Sequence, residues 1–212
     1  MQKETYKLYY SPAACSLAVH AVLNAINADF ELIKTRIDGK ENHTEAYLRL
    51  SPLGQVPVLI ASDRVLRESA AIIVYLLENA GHALLPGGGD VRTKALQWLF
   101  FCNSTLQQAY GAYFLITNNL KDKETAAPAL QLISKRIHKL WRYVDSQIES
   151  RFICGEEPTA ADILMATIAN WSFLIVPSFS MPDKARALCA SVSKLPYFAK
   201  ALTTEGVEYK IP

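Results

Sequence analysis

The spacing of hydrophobic residues changes period several times before residue 80. TYKLYY (5–10) is a short aromatic, β-prone run ended by Ser11-Pro12. From Cys15 onward Leu17, Ala18, Ala21, Val22 and Ala25 fall three and four apart, which predicts one face of a helix. DFELIKTRI (29–37) returns to a strand pattern. TEAYLRL (44–50) reads as a short helix stopped before Pro52, because a proline disfavours helical backbone in the residue ahead of it. VPVLIA (56–61) predicts a strand, Ser62-Asp63-Arg64 a turn, and VLR (65–67) a returning strand. ESAAIIVYLLENA (68–80) predicts a strongly apolar helix, with Gly81 as its stop. The order is β-α-β-α-β-β-α. Strands separated by helices pair in parallel, and the tight third connection implies an antiparallel hairpin.

GHALLPGGGD (81–90) is a Gly/Pro-rich linker, and no strand pattern recurs after it. Residues 91–117 and 126–149 predict two long helices, with Pro128 in the first turn of the second. Residues 159–172 predict a third, and shorter pieces follow near 183–192 and 196–203. The expected class is α+β: a mixed domain over 1–80, a linker over 81–90, and an all-helical domain over 91–212.

Composition narrows the function. Of 212 residues half are hydrophobic and a fifth charged, as in a globular protein. Lys plus Arg is 22 against 20 Asp plus Glu, a net charge of +2 with no long basic run, which argues against nucleic acid as a partner. Cys15, Cys102, Cys154 and Cys189 make no CxxC pair and no zinc-spaced cluster with histidine, so reduced thiols and no metal are expected. Residues 13–26 are apolar, but His20 and Asn24 interrupt them and a polar stretch precedes them, unlike a signal peptide. No run reaches the length of a membrane span. A cytoplasmic protein is the expectation.

Three places carry candidate chemistry. Pro57 sits inside an apolar strand, where it needs an edge position or a special geometry, or else simply ends the strand. Glu68-Ser69 open a helix; that point is either an anion site, by virtue of its unpaired N–H groups and dipole, or an ordinary cap. Cys15 falls in the first turn of a helix, where a thiolate is stabilised. The plain alternative is a small buried hydrophobe.

Three segments in this order, KLYYSPAACSLAVH (7–20), SPLGQVPVL (51–59) and ESAAIIVYL (68–76), resemble the cytosolic glutathione transferase family, most closely its bacterial beta class. The resemblance implies a thioredoxin-like first domain and a cis Val56–Pro57 bond. The Val56 N–H and C=O would pair with the cysteinyl backbone of glutathione, as an added strand does. It implies that Gln55, Val56, Pro57, Glu68 and Ser69 bind glutathione, Ser69 donating to the γ-glutamyl carboxylate and Glu68 accepting from its ammonium. Cys15 would lie beside the glutathione sulfur, and Ser11 could donate to the thiolate. Tyr10 matches the tyrosine that precedes this loop in many members. An electrophile pocket between the domains would use Tyr110, Tyr113, Phe114 and Trp171. A homodimer through the apolar face at Val91–Phe101 is implied as well, with glutathione as co-substrate. The chain departs from the beta class at Gln107 and Gln108, where a His-Lys pair is common, and at Leu53 in place of a lysine. Gln107 can still hydrogen-bond to glutathione, but without the charge.

Thr159-Ala-Ala-Asp162 resembles a capping box and reads as structural. His20, His43, His82 and His138 have no metal spacing, and KRIHKLWR (135–142) reads as a solvated helix face. The expected activity is conjugation of the glutathione thiolate to apolar electrophiles. The alternatives are thiol–disulfide exchange or peroxide reduction through Cys15, and a non-catalytic binding or regulatory protein on the same fold.

Overall fold

The computed structural model describes residues 5–37, 39–120, 122–176 and 178–212. In chain order the elements are β1 (Thr5–Tyr10), α1 (Ser16–Ala25), β2 (Asp29–Lys34), α2 (Glu45–Leu50), β3 (Val58–Ala61), β4 (Arg64–Arg67) and α3 (Ser69–Ala80). They continue with α4 (Gly89–Phe101), α5 (Gln107–Asn119), α6 (Lys123–Gln147), α7 (Ala160–Ala169), α8 (Asp183–Ser193) and α9 (Pro196–Glu205). The chain forms two compact units. One comprises Met1–Gly87 with Ser193–Glu208, the other Gly88–Val192 with Tyr209–Pro212.

The first unit is built on a four-stranded sheet of order β2-β1-β3-β4. β1 and β2 are parallel, and the β1–β3 and β3–β4 pairs are antiparallel. Leu8 lies opposite both Leu32 and Leu59, and Leu8 and Leu59 are fully buried, which centres the core on β1 and β3. The pleat of β1 sends Tyr6, Leu8 and Tyr10 to its covered face. Lys7, on the other face, meets Glu31 across the parallel pair at 3.4 Å. The end of α3 is closed by Gly81 at φ 59°, with the His82 N–H bonding to the Leu77 carbonyl.

Helix α1 is enclosed on all sides: every residue from Ser16 to Asn24 is buried. A helix apolar all round requires cover on every face. α3 and α9 both pack on it. Its one ionisable residue, His20, finds a partner in α9, with Nδ1 2.9 Å from Glu205 Oε1 and both side chains at most 1 % exposed. This corrects the expected boundary, which placed all of 91–212 in the helical half. α9 joins the first unit because α1 needs both its apolar cover and its carboxylate.

In the second unit the single helix expected over 91–117 is two, α4 and α5, joined by a π-helical turn at Cys102–Leu106. There the Gln107 N–H bonds to the Cys102 carbonyl, five residues back. The spacing on each side of the turn stays helical, so it reads as uninterrupted in the sequence. α6 starts at Lys123, not 126, because Asp122 accepts from the N–H groups of Glu124 and Thr125. Pro128 therefore lies inside the helix, past its first turn. α7 ends at Ala169, and a 3₁₀ turn covers Ser172–Leu174. Every residue of α7 is buried, Asp162 included. Its carboxylate accepts from Thr159 N at 2.7 Å, Thr159 Oγ1 at 2.8 Å and Ile153 N at 3.0 Å. Burial raises its pKa, against the opposing pull of these hydrogen bonds.

Candidate functional site

The strand register gathers the candidate segments of the first unit at one edge of the sheet. Tyr9 pairs with Val58, and Val58 with Arg67. Val56-Pro57 therefore enters β3 beside the point where Glu68-Ser69 leaves β4, and next to the loop that follows β1. The starts of α1 and α3 lie at this same edge.

The Val56–Pro57 peptide bond is cis. The turn ahead of it is held from three sides. Ser51 Oγ donates to the Gln55 carbonyl at 2.9 Å and accepts the Gln55 N–H at 3.0 Å. The Tyr47 hydroxyl donates to the same carbonyl at 2.8 Å, and Asn42 Nδ2 donates to the Gly54 carbonyl at 2.7 Å. Gly54 has φ 63°, and a Cβ there would lie 2.9 Å from the Asn42 carbonyl oxygen. The Gln55 backbone is thus fixed while its side chain is exposed. The Tyr47 ring packs edge-on against Tyr9 at 5.7 Å. Its hydroxyl pKa is pushed up to about 12, first by burial and then by its neighbours Tyr9 and Cys15, so it stays a donor at neutral pH. Sequence reasoning missed Tyr47, Ser51 and Asn42 as supports. Their signal is tertiary, and nothing in their spacing marks it.

Cys15 caps the start of α1 and is partly buried. Its Sγ lies 3.2 Å from the Val56 carbonyl oxygen. The carbonyl expected to be open to a ligand therefore already accepts from the thiol; its second lone pair remains for another donor. Ser11 is partly buried in the same loop. Its N–H donates to Ser16 Oγ at 3.2 Å, and that hydroxyl donates back to the Ser11 carbonyl at 3.1 Å. Ser16 is fully buried and is a second support that the sequence did not mark.

Tyr10 is a correction. Its side chain is on the covered face of β1, with its ring 6.4 Å from His20, and its hydroxyl pKa is raised, first by burial and then by the Glu205 charge. It belongs to the core. Glu68 is exposed and caps α3 at φ 66°, a conformation disfavoured for any residue but glycine. Ser69 follows as the first residue of α3 and is buried.

In the second unit Gln107 begins α5 directly after the π-turn. Its Oε1 is buried with no hydrogen-bond partner among the described residues. Tyr110, Tyr113, Phe114 and Trp171 do come together: Tyr110–Trp171 ring centroids are 5.8 Å apart, Tyr113–Phe114 6.0 Å, and Phe114–Trp171 6.2 Å. Two of the four cannot be an open wall, however. Tyr110 is fully buried, its hydroxyl accepting from Trp141 Nε1 at 2.8 Å and lying 2.5 Å from Ser172 Oγ. Tyr113 is buried and bonds through its hydroxyl to both the N–H and the carbonyl of Val176. They back Phe114 and Trp171, which are partly exposed. One turn beyond, an open cleft of about 1090 Å³ is lined by Thr117, Leu120, Pro128, Leu130 and Val176, among others.

Cys102 and Cys189 are buried thiols whose pKa values are raised, chiefly by burial. Among the described residues no cluster of His, Cys, Asp and Glu could hold a metal ion. No helix among them is long and apolar enough to cross a membrane.

The first unit thus joins a four-stranded mixed sheet to a cysteine at the start of its first helix, a cis-proline turn and a buried serine opening its third helix. Residues 4–78 match the family model described as glutathione S-transferase, N-terminal domain, and residues 95–195 the one described as glutathione S-transferase, C-terminal domain. The glutathione S-transferase GstA of Escherichia coli O157:H7 is 27 % identical over 95 % of this chain and 100 % of its own. The glutathione S-transferase GST-4.5 of Xanthomonas campestris is 31 % identical over 78 % of this chain and 82 % of its own. The solved structure of a glutathione S-transferase from Xylella fastidiosa superposes with a TM-score of 0.87 at 28 % identity, covering 96 % of this chain and 100 % of that one. The chain belongs to the glutathione S-transferase family and is a transferase.

Proposed function

We propose that the protein transfers glutathione, through its sulfur, to apolar electrophiles. The observation that carries this reading is the pairing of two features at one sheet edge: the cis Val56–Pro57 turn and buried Ser69 at the start of α3. The turn offers strand-like backbone groups to a peptide. The helix start offers N–H groups and a positive dipole end to a carboxylate. Glutathione is a short peptide with a carboxylate at that end. Glu68, in its strained φ 66° conformation, is the acceptor for the ligand's ammonium.

The chemistry is nucleophilic. A free thiol has a pKa of about 8.5, and lowering it by about two units corresponds to roughly 2.7 kcal/mol in favour of the thiolate. Ser11, in the loop before α1, is the donor to that thiolate. The sulfur forms a bond to an electrophilic carbon, and either a leaving group departs or the adduct takes up a proton. Phe114 and Trp171, and the Leu120, Pro128 and Leu130 lining of the cleft, suit an apolar acceptor. Val91 and Phe100 of α4 are half-exposed, and we assign α4 to a homodimer contact. None of the four cysteines forms a disulfide, and we assign the protein to the reducing cytoplasm.

The test is glutathione binding by calorimetry on the wild type, Ser69→Ala and Cys15→Ala. Wild-type binding between micromolar and low millimolar, about −8 to −4 kcal/mol, with Ser69→Ala clearly weaker, is the expected result. No binding at millimolar glutathione would sink the reading.

The proximity of Cys15 Sγ to the Val56 carbonyl favours a second reading, thiol–disulfide exchange. Cys15 thiolate attacks the glutathione sulfur of a mixed disulfide and expels the other thiolate. A second glutathione then attacks the Cys15–glutathione disulfide, leaving oxidised glutathione and the free Cys15 thiolate. Cys15→Ser abolishes this exchange and leaves conjugation in place, which separates the two readings.

A further inference from the structure

The loop between β1 and α1 carries Ser11 and Cys15, yet part of its shape is set from the other end of the chain. Glu205, the last residue of α9, is fully buried. One of its carboxylate oxygens meets His20 Nδ1 at 2.9 Å, and the other accepts the Ala13 N–H at 3.2 Å. Ala13 lies in the middle of the loop at φ 60°, a left-handed conformation that a residue with a Cβ adopts at a cost. The neighbouring bonds of the loop run to Ser16, which fixes both backbone groups of Ser11. Ala14 N–H closes the turn on the Ser11 carbonyl at 3.1 Å. Glu205 reaches this loop's backbone from outside the β1–α1 segment. His20 orients the carboxylate from within α1, so the helix that Cys15 caps and the loop that presents Cys15 share one buried anchor.

We propose that Glu205 is a positioning residue for the thiol site. Through the Ala13 N–H it holds the strained loop in the form that sets Cys15 Sγ against the Val56 carbonyl, with His20 as its orienting partner. It touches neither glutathione nor the acceptor. The inference rests on the reading of the Ser11–Cys15 loop as part of the glutathione site, but its first readout is independent of glutathione.

Two consequences distinguish positioning from simple stabilisation. Cys15 becomes free of its carbonyl contact when the loop loosens, so its alkylation by iodoacetamide, followed at the Cys15 peptide by mass spectrometry, speeds up. Glycine at position 13 adopts positive φ without the Cβ penalty, so it reduces the dependence on Glu205.

The experiment compares wild type, Glu205→Ala, Glu205→Gln, Ala13→Gly and the Ala13→Gly/Glu205→Ala double variant, all well below their unfolding temperatures. Glu205→Ala is expected to alkylate at Cys15 about fivefold faster and to bind glutathione about tenfold more weakly, the scale on which small misplacements act. Glu205→Gln keeps an oxygen for Ala13 and a polar amide group beside His20, and is expected to stay within about twofold of wild type on both readouts. The double variant should recover part of both effects, as a non-additive cycle. Folded Glu205→Ala protein with unchanged alkylation overturns the proposal, and so does a double variant with strictly additive effects. Altered alkylation without glutathione binding in the wild type upholds the positioning role and instead rejects the glutathione reading. Should Glu205→Ala fail to fold, amide exchange in the wild type decides. An Ala13 amide as protected as the amides of α1 supports the anchor, and one that exchanges like an open loop overturns it.

Discussion

Asp162 and Glu205 are both buried carboxylates, one in each unit, and they solve the same problem differently. Asp162 takes its donors from nearby chain: Thr159 three residues before it and Ile153 nine before it. Glu205 takes its donors from Ala13 and His20, 192 and 185 residues away. A buried carboxylate must be paired or hydrogen-bonded wherever it lies. The difference is what depends on it. Asp162 closes the entry to a single helix, whereas Glu205 ties α9 to α1 and to the loop ahead of it.

The largest effect should come from breaking the long-range pair. Glu205→Ala leaves His20 and the Ala13 N–H without their partner and should cost about 3–5 kcal/mol in urea unfolding. Asp162→Ala strands two backbone N–H groups and a hydroxyl and should cost about 3 kcal/mol. Unlike Glu205→Ala, it should leave glutathione affinity unchanged once the folded fraction is accounted for. Loss of affinity in Asp162→Ala would break the contrast. Gly54→Ala comes next, at more than about 1 kcal/mol, since its φ of 63° and the Asn42 oxygen 2.9 Å from a new Cβ both oppose it. That change should also weaken glutathione binding by disturbing Gln55 and Val56, as calorimetry would report.

The smallest effect concerns pH. Asp122 caps α6 with its pKa lowered, first by the Thr125 hydroxyl and then by backbone N–H groups. Its contribution is complete above the ordinary carboxyl range and is lost as pH falls through the lowered value. Asp162 has the opposite sign. Its raised pKa means that the folded state holds the proton more tightly, so its contribution to stability falls as pH rises from the ordinary carboxyl range through the raised value. Asp122→Ala should therefore flatten the acid limb of a stability–pH curve, and Asp162→Asn should remove the decline above it. Urea midpoints taken across the pH range would show both.

The same contrast explains what the sequence revealed. The capping pattern at Thr159–Asp162 was readable because its partners lie within one turn. The strands and helices of the first unit were readable for a similar reason, since period and turn residues are local properties. The cis Val56–Pro57 bond was implied by a resemblance carried by contiguous segments. Three features escaped. The buried side of Tyr10 depends on which face of β1 is covered. The enclosure of Tyr110 depends on Trp141 and Ser172, from other parts of the helical unit. The membership of α9 in the first unit depends on a histidine in α1 that looked like a scattered one.

The π-turn at Cys102–Leu106 has a consequence for steering. One residue added to a helix that stays regular rotates everything downstream by about 100°, and a π-turn absorbs that residue by widening, so the faces downstream keep their bearing. Gln107, Tyr110, Tyr113 and Phe114 all lie downstream of it. Removing a single residue from this turn would leave α4 and α5 as one unbroken rod with that whole set on its present bearing, whereas tightening the turn to a regular helix without a deletion would swing the set by about 100°. The bulge acts as one residue of slack, through which the helix can take up an insertion or deletion without re-aiming the face below it.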